Sequence, residues 1–238
     1  MRPGVVAVLV SASLLTLGSA PPGGPAAQPL PARMADTGGG TQLITAVAPG
    51  TGSTTGTVTW WDRRGAGDGR WVRAGSAPAR FGAGGLTAGA TRVQGTNTTP
   101  TGLYDLPYAF GIRAAPRGTA YPYRPVRRDS WWCQDNASRA YNRWTEPRPA
   151  DCRAAEAEHL VTYTAQYAHA LVVGFNYHRP VRGRGAGIFL HVNGRGATAG
   201  CVSVPAEAMR RILRWAEPGE RPHLAIGTTG GATAITRY

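Results

Sequence analysis

The chain has 238 residues and a formal charge of +13, and its 26 basic residues are all Arg. That length supports one good-sized domain or two small ones with a real core, and 42 % apolar residues exclude wholesale disorder. Abundant Gly and Pro favour many short strands joined by tight turns over a helical bundle. The absence of Lys reads as coding bias. The charge still attracts polyanions. Because the Arg residues are scattered and no nucleic-acid module is present, an anionic wall polymer is a better partner than nucleic acid.

Arg2 followed by the apolar run Val5–Leu17 and the small residues Gly18, Ser19 and Ala20 reads as a signal peptide over residues 1–20, with a cleavage point as late as about 35. The run is short for a bilayer span, so no stable membrane span is expected after processing and the protein is expected to be exported. Residues 21–40 are Pro, Gly and Ala with almost no large apolar side chain, the composition of a flexible spacer. One domain is expected over residues 41–238.

Within it, Gln42–Ala48 reads as a strand, and Thr57–Arg63 with Arg70–Gly75 as a hairpin around a Gly-rich turn. Arg80–Arg92 is too Gly-rich for a helix and reads as a loop. Residues 101–150, rich in Pro, Arg and aromatics, read as a surface wrap or cap, with Trp131 and Trp132 packing a core. Leu171–Tyr177 and Gly187–Val192 are buried-strand candidates. Pro205–Glu217 is the clear helix, with Met209, Ile212, Leu213 and Ala216 on one face and Arg210, Arg211 and Arg214 solvated away from it. His223–Gly227 closes the sheet. The fold class is mainly β, a sandwich-like sheet structure with one helix.

Three cysteines occur, at 133, 152 and 201. In an oxidising compartment two pair and one remains free. Cys133 and Cys152 bracket one loop-like stretch and form the natural pair, a closure worth about 3 kcal/mol on the chain-entropy account. Cys201 is then an unpaired thiol in an exported chain, which calls for a reason.

The reason lies in His191–Val204. This stretch leaves a strand, crosses a small-residue loop and delivers Cys201 just before a helix start, where the helix dipole modestly favours a thiolate. Thiol catalysis needs an ionisable sulfur, a base within reach and donors for an oxyanion. Cys201 is the candidate nucleophile and His191 its base, brought close by a hairpin-like return. The N–H groups of Ala199, Gly200 and Cys201 are candidate oxyanion donors, and Thr198 supports them. Arg195 and Ser203 are candidate substrate contacts. His159, His169, His178 and His223 lack metal-ligand spacing, and no carboxylate pair suggests a glycosidase. No metal is expected.

His191, Thr198, Gly200 and Cys201 resemble the strand-end His and the Ser/Thr-x-Gly-Cys of the L,D-transpeptidase catalytic domain of bacterial cell-wall enzymes. Thr99–Gly111, Tyr121–Arg124, Ala140–Trp144, Gly174–Tyr177 and Arg221–Gly227 resemble segments of its actinobacterial branch in the same order, so the resemblance covers residues 41–227. Ala199 stands where the family commonly has a second His, the loop from His191 to Cys201 is shorter, and Ser203 stands where Arg or Asn is frequent. The resemblance implies attack by Cys201 on a peptidoglycan tetrapeptide stem, loss of the terminal D-Ala, and transfer of the thioester to an amine. It implies no metal or organic cofactor, and inhibition by carbapenem-type β-lactams. A cysteine carboxypeptidase or amidase of the same fold is one rival reading. A non-catalytic basic wall-binding protein is another.

Overall fold

The computed structural model describes Met1 and residues 28–65 and 69–229; the expected signal peptide lies outside the described residues. β1 (Gln42–Ala48) runs between two neighbours and is buried almost throughout. Its alternate side chains serve two cores: Ile44, Ala46 and Ala48 join the main one, whereas Leu43 packs with Trp71 and Ala225 on the other face. β2 (Thr55–Arg64) and β3 (Arg70–Arg80) form the expected hairpin, longer than the apolar pattern suggested and bulged between Trp60 and Trp61. The Gly-rich stretch after it contains the three-residue β4 (Leu86–Ala88), which pairs in parallel with β5 (Thr99–Asp105).

Short strands follow: β6 (Ala109–Gly111), β7 (Tyr123–Pro125), β8 (Trp131–Cys133), β9 (Arg143–Thr145), β10 (Ala157–His159), β11 (Ala170–Val172), β12 (Phe189–Val192) and β13 (Val202–Val204). The helix α1 (Ala206–Trp215) and β14 (His223–Thr228) complete the order. Among the described residues the main sheet runs β4-β5-β14-β1-β2-β3-β13-β12-β11-β6-β7, and β10-β8-β9 form a separate sheet. The main core draws Ile44, Val58, Leu224 and Ile226 from one half of the long sheet and Leu171, Leu190, Val202 and Val204 from the other. The two halves therefore face each other, and Ala208, Met209, Ile212 and Leu213 of α1 pack into the same core. The protein is mainly β and sandwich-like, with one α-helix among the described residues. On α1, Arg210, Arg211 and Arg214 converge on Glu207 rather than standing as separate solvated charges.

A second core lies on the far face of β11 and β12, beneath the small sheet. It gathers Phe110, Trp132, Trp144, Leu160, Tyr167, Val172 and Phe189, and Cys201 belongs to it. The small sheet is thus a cap, as the composition of residues 101–150 suggested. Cys133 and Cys152 form a disulfide across the cap, with Cα atoms 6.2 Å apart, and Cys201 is free. Beside the disulfide, buried Asp135 accepts two hydrogen bonds from the Arg153 guanidinium at 2.7 and 2.9 Å. These charge-assisted bonds hold its carboxyl far below the usual range.

Two expectations need correction. The Pro/Gly/Ala spacer does not extend to residue 40. Leu30–Arg33 forms a 3-10 turn with Pro31 buried, and Met34 packs against the Leu43–Trp71 cluster. Gly40 passes so close to the backbone of Arg221 that a Cβ would sit 2.2 Å from its carbonyl oxygen, so a spacer-like composition here serves close backbone approach. Likewise Leu171–Tyr177 does not continue as a strand beyond Val172. Gly174 donates its N–H to Asp105 O instead, and Asn176 takes a left-handed conformation at φ 50°.

Candidate active site

β12 and β13 are parallel neighbours, with Leu190 opposite Val202 and His191 opposite Ser203. Alternation sends Leu190 and Val202 to the main core and turns the opposite face toward the cap, where Phe189, Cys201 and His191 lie. Cys201 is level with Phe189, whose N–H donates to Sγ at 3.4 Å. His191 and Cys201 are therefore diagonal neighbours on adjacent strands, about 8 Å apart at Cα by strand geometry, and both open into one cavity of about 200 Å³. The return between them is not a hairpin. The chain leaves β12, passes beside Phe81–Gly82, where Thr198 pairs with Gly82, and comes back in the same direction.

That detour fixes the loop that carries Cys201. Thr198 N–H donates to Phe81 O, and Thr198 O accepts from Ala83 N–H. The Thr198 hydroxyl donates to Cys201 O at 2.6 Å and accepts from Gly200 N–H at 3.1 Å. Buried Thr99 adds a longer bond to the same carbonyl. Gly200 has φ 135°, and a Cβ there would meet Thr98 O at 2.9 Å. Only glycine suits both constraints. Gly200 N–H is thus committed to Thr198, whereas the N–H groups of Ala199 and Cys201 have no hydrogen-bond partner among the described residues.

His191 is 6 % exposed. Its Nδ1 lies 2.7 Å from the carbonyl oxygen of Val192. A carbonyl only accepts, so Nδ1 carries the proton and Nε2 keeps its lone pair. Tyr167 packs edge-on against the ring at 5.6 Å. Burial lowers the imidazole from 6.5 to about 4, so it rests neutral.

Cys201 departs from expectation in charge. Burial, with the nearby Glu158 charge adding to it, pushes the thiol up to about 12. The helix dipole gives no relief, because β13 and Pro205 separate the sulfur from α1. The resting pair is a neutral thiol and a neutral imidazole, not an ion pair. The thiol hydrogen is directed to Gly187 O at 3.4 Å. Gly187 N–H in turn is held by Asn142 Oδ1, which also accepts from Trp132 Nε1, both at 2.9 Å.

Cys201 also lines a second cavity of about 440 Å³ toward Arg92, Gln134 and Gly187. Ala199, Glu158 and Cys201 stand in the wall shared by the two cavities. Glu158 accepts from Gln134 Nε2 at 2.6 Å and from the Tyr167 hydroxyl, and burial raises its carboxyl above the usual range. Arg195, exposed, lines the His191 cavity. Ser203, expected as a substrate contact, lines neither cavity: it is fully buried and donates to Asn193 Oδ1 at 2.8 Å, pinning the loop after β12. Glu158, Tyr167, Gln134 and Arg92 went unnoticed in the sequence, having no local motif to mark them. A further cavity of about 990 Å³, between residues 28–39 and the β2–β3 hairpin, holds neither Cys nor His.

The sequence profile of the L,D-transpeptidase catalytic domain, YkuD, matches residues 53–224. The chain belongs to this family. No curated protein matches it. The match spans β2 to the start of β14, so it takes in β12 and β13 together with the cap that covers them. At family level the activity is of L,D-transpeptidase type, on peptidoglycan. The other histidines have structural partners: His159 stacks on Trp131 at 4.1 Å, His169 and His223 bond to backbone carbonyls, and His178 bonds to Asp105. Among the described residues no group of three or more His, Cys, Asp or Glu is placed to hold a metal, and no helix is long and apolar enough to cross a membrane.

Proposed function

We propose that this protein is an exported cysteine acyltransferase that acts on peptidoglycan stem peptides. The observation that carries the reading is a neutral imidazole, locked by Val192 with Nε2 free, opening into the same cavity as the only unpaired thiol. Cys201 Sγ attacks the carbonyl after the third residue of a tetrapeptide stem while His191 Nε2 takes the thiol proton. Coupling the transfer to the attack avoids a free thiolate, which burial disfavours. The N–H groups of Ala199 and Cys201 receive the oxyanion. His191 then gives its proton to the departing D-Ala amine, leaving a thioester on Cys201. An acceptor amine attacks the thioester, His191 accepts its proton and returns it to sulfur, and the new amide leaves. Two cavities meeting at one sulfur suit a reaction with two peptide partners. Arg195, at the mouth of one of them, is a substrate contact in this reading. The disulfide supports folding in an oxidising compartment, consistent with export.

The test is muropeptide mass spectrometry with and without an amine acceptor, on the native protein and on Cys201→Ala. Cross-linked dimers that need Cys201 are expected. Shortened stems alone indicate the carboxypeptidase of the same fold. Unchanged wall binding by Cys201→Ala with no product from either protein indicates a non-catalytic binder and refutes the proposal.

A further inference from the structure

Arg92 follows the 3-10 turn Gly89–Thr91 and is only 6 % exposed. Its partners are neutral. Nε–H donates to Thr98 O at 2.7 Å, Nη1–H donates to Arg184 O at 3.1 Å, and the guanidinium lies 5.7 Å from the centre of the Phe175 ring. Among the described residues no carboxylate lies within ion-pair distance of it. A guanidinium removed from water without a counter-ion is costly, and it stays charged even when burial lowers its pKa. The fold nevertheless keeps this charge in the wall of the 440 Å³ cavity that ends on Cys201. Nη2 has no hydrogen-bond partner among the described residues, and it lies so near Gly200 that a Cβ there would approach it to 2.8 Å.

We infer that Arg92 is the receptor for a free carboxylate of the wall peptide, bound in the cavity on the Gly187 side of Cys201. This rests on the stem-peptide reading above and specifies the polar group that the site recognises. The remaining charges of the cavity narrow the ligand. Glu156 and Glu158 line it too, so a bare anion is poorly served, whereas a group carrying a carboxylate and an amine meets both poles. Two carboxylates have this chemistry within reach: the C-terminus of the donor stem and the carboxylate beside the acceptor's side-chain amine. Glu158, in the wall beside the sulfur, favours the second, because it draws the amine toward the thioester.

Binding to the Cys201→Ala protein, which cannot turn over, tests the inference separately from catalysis. The probes are one wall peptide in three forms: carboxylates free, C-terminus amidated, or the carboxylate beside the side-chain amine amidated. One amidation is expected to weaken binding by about tenfold or more, the scale of a lost charge-assisted hydrogen bond, and which one identifies the source. Adding Arg92→Met should erase that difference, and Arg92→Lys should restore part of it, a point charge lacking the guanidinium fork. If neither amidation costs more than about twofold, a change too small for a lost charged contact, or if the Met protein keeps the preference, the inference is overturned. Should the Met protein not fold, the three peptides on the Arg and Lys proteins decide. Failure of the acyltransferase reading shows instead as no D-Ala release by the native enzyme, whatever the binding.

Discussion

His191 makes the fold acid-sensitive by an amount that follows from its burial. In the unfolded chain an imidazole takes its proton near 6.5, whereas in the folded protein burial moves that to about 4. Between these values the unfolded state binds more protons, so stability is complete above about pH 6.5 and is lost as pH falls toward 4. The difference of about 2.5 pH units corresponds to about 3 kcal/mol, a large share of the 5–15 kcal/mol typical of a domain. Urea unfolding of the native protein and of His191→Gln, each at pH 7.5 and pH 4, isolates this contribution. His169, also lowered by burial, titrates in both proteins and cancels. The native protein is expected to lose about 3 kcal/mol more than the variant on acidification. The same shift keeps the base competent in mildly acidic solution, so the acid limb of kcat/KM should centre near 4 rather than 6.5. Parallel loss of stability in the two proteins refutes the buried neutral imidazole and the base assignment with it.

Thr198→Val removes the hydroxyl that holds Cys201 O and Gly200 N–H. Unfolding free energy should fall by about 1–2 kcal/mol while kcat falls by about tenfold or more, because a misplaced nucleophile costs rate steeply; steady-state kinetics and denaturation on one preparation separate the two. Asn142→Leu leaves the Trp132 indole N–H and the Gly187 N–H without their acceptor. A loss of about 2–4 kcal/mol is expected for two orphaned buried donors, read as a lower Tm. Thiol titration in denaturant without reductant should count one thiol per chain, and reduction should expose three. In the native state the single thiol should react slowly at neutral pH and faster with each unit of pH, since burial holds it protonated.

Much of this architecture was legible where one physical rule dominates. A short apolar run ended by Pro49 and Gly50 marked β1, the Trp-rich segments marked the hairpin, and the spacing of Met209, Ile212 and Leu213 marked α1. Odd-cysteine arithmetic and bracketing marked the disulfide. Rules failed where tertiary context decides. Val202–Val204 carries a short strand signal that the neighbouring helix masked, so Cys201 was placed against the wrong dipole. The Pro/Gly/Ala composition of residues 28–40 looks like a linker, yet Gly40 is there to let backbones touch. The thiol's charge state depends on burial beneath a cap, which no local spacing encodes. Glu158 and Tyr167 come from the cap and its exit, and Arg92 from a distant loop; they meet Cys201 only because β10, β12 and β13 bring those regions over one sulfur.

The central claim is that Cys201 is an acylable nucleophile despite its burial. Incubation with a carbapenem, followed by intact-mass analysis and tryptic mapping, tests this directly, since cleavage after Arg195 and Arg210 isolates Cys201 in one peptide. A single adduct confined to residues 196–210 and absent from both Cys201→Ala and His191→Gln is the predicted result. No adduct on a folded, reduced protein, or an adduct that persists without Cys201, contradicts it.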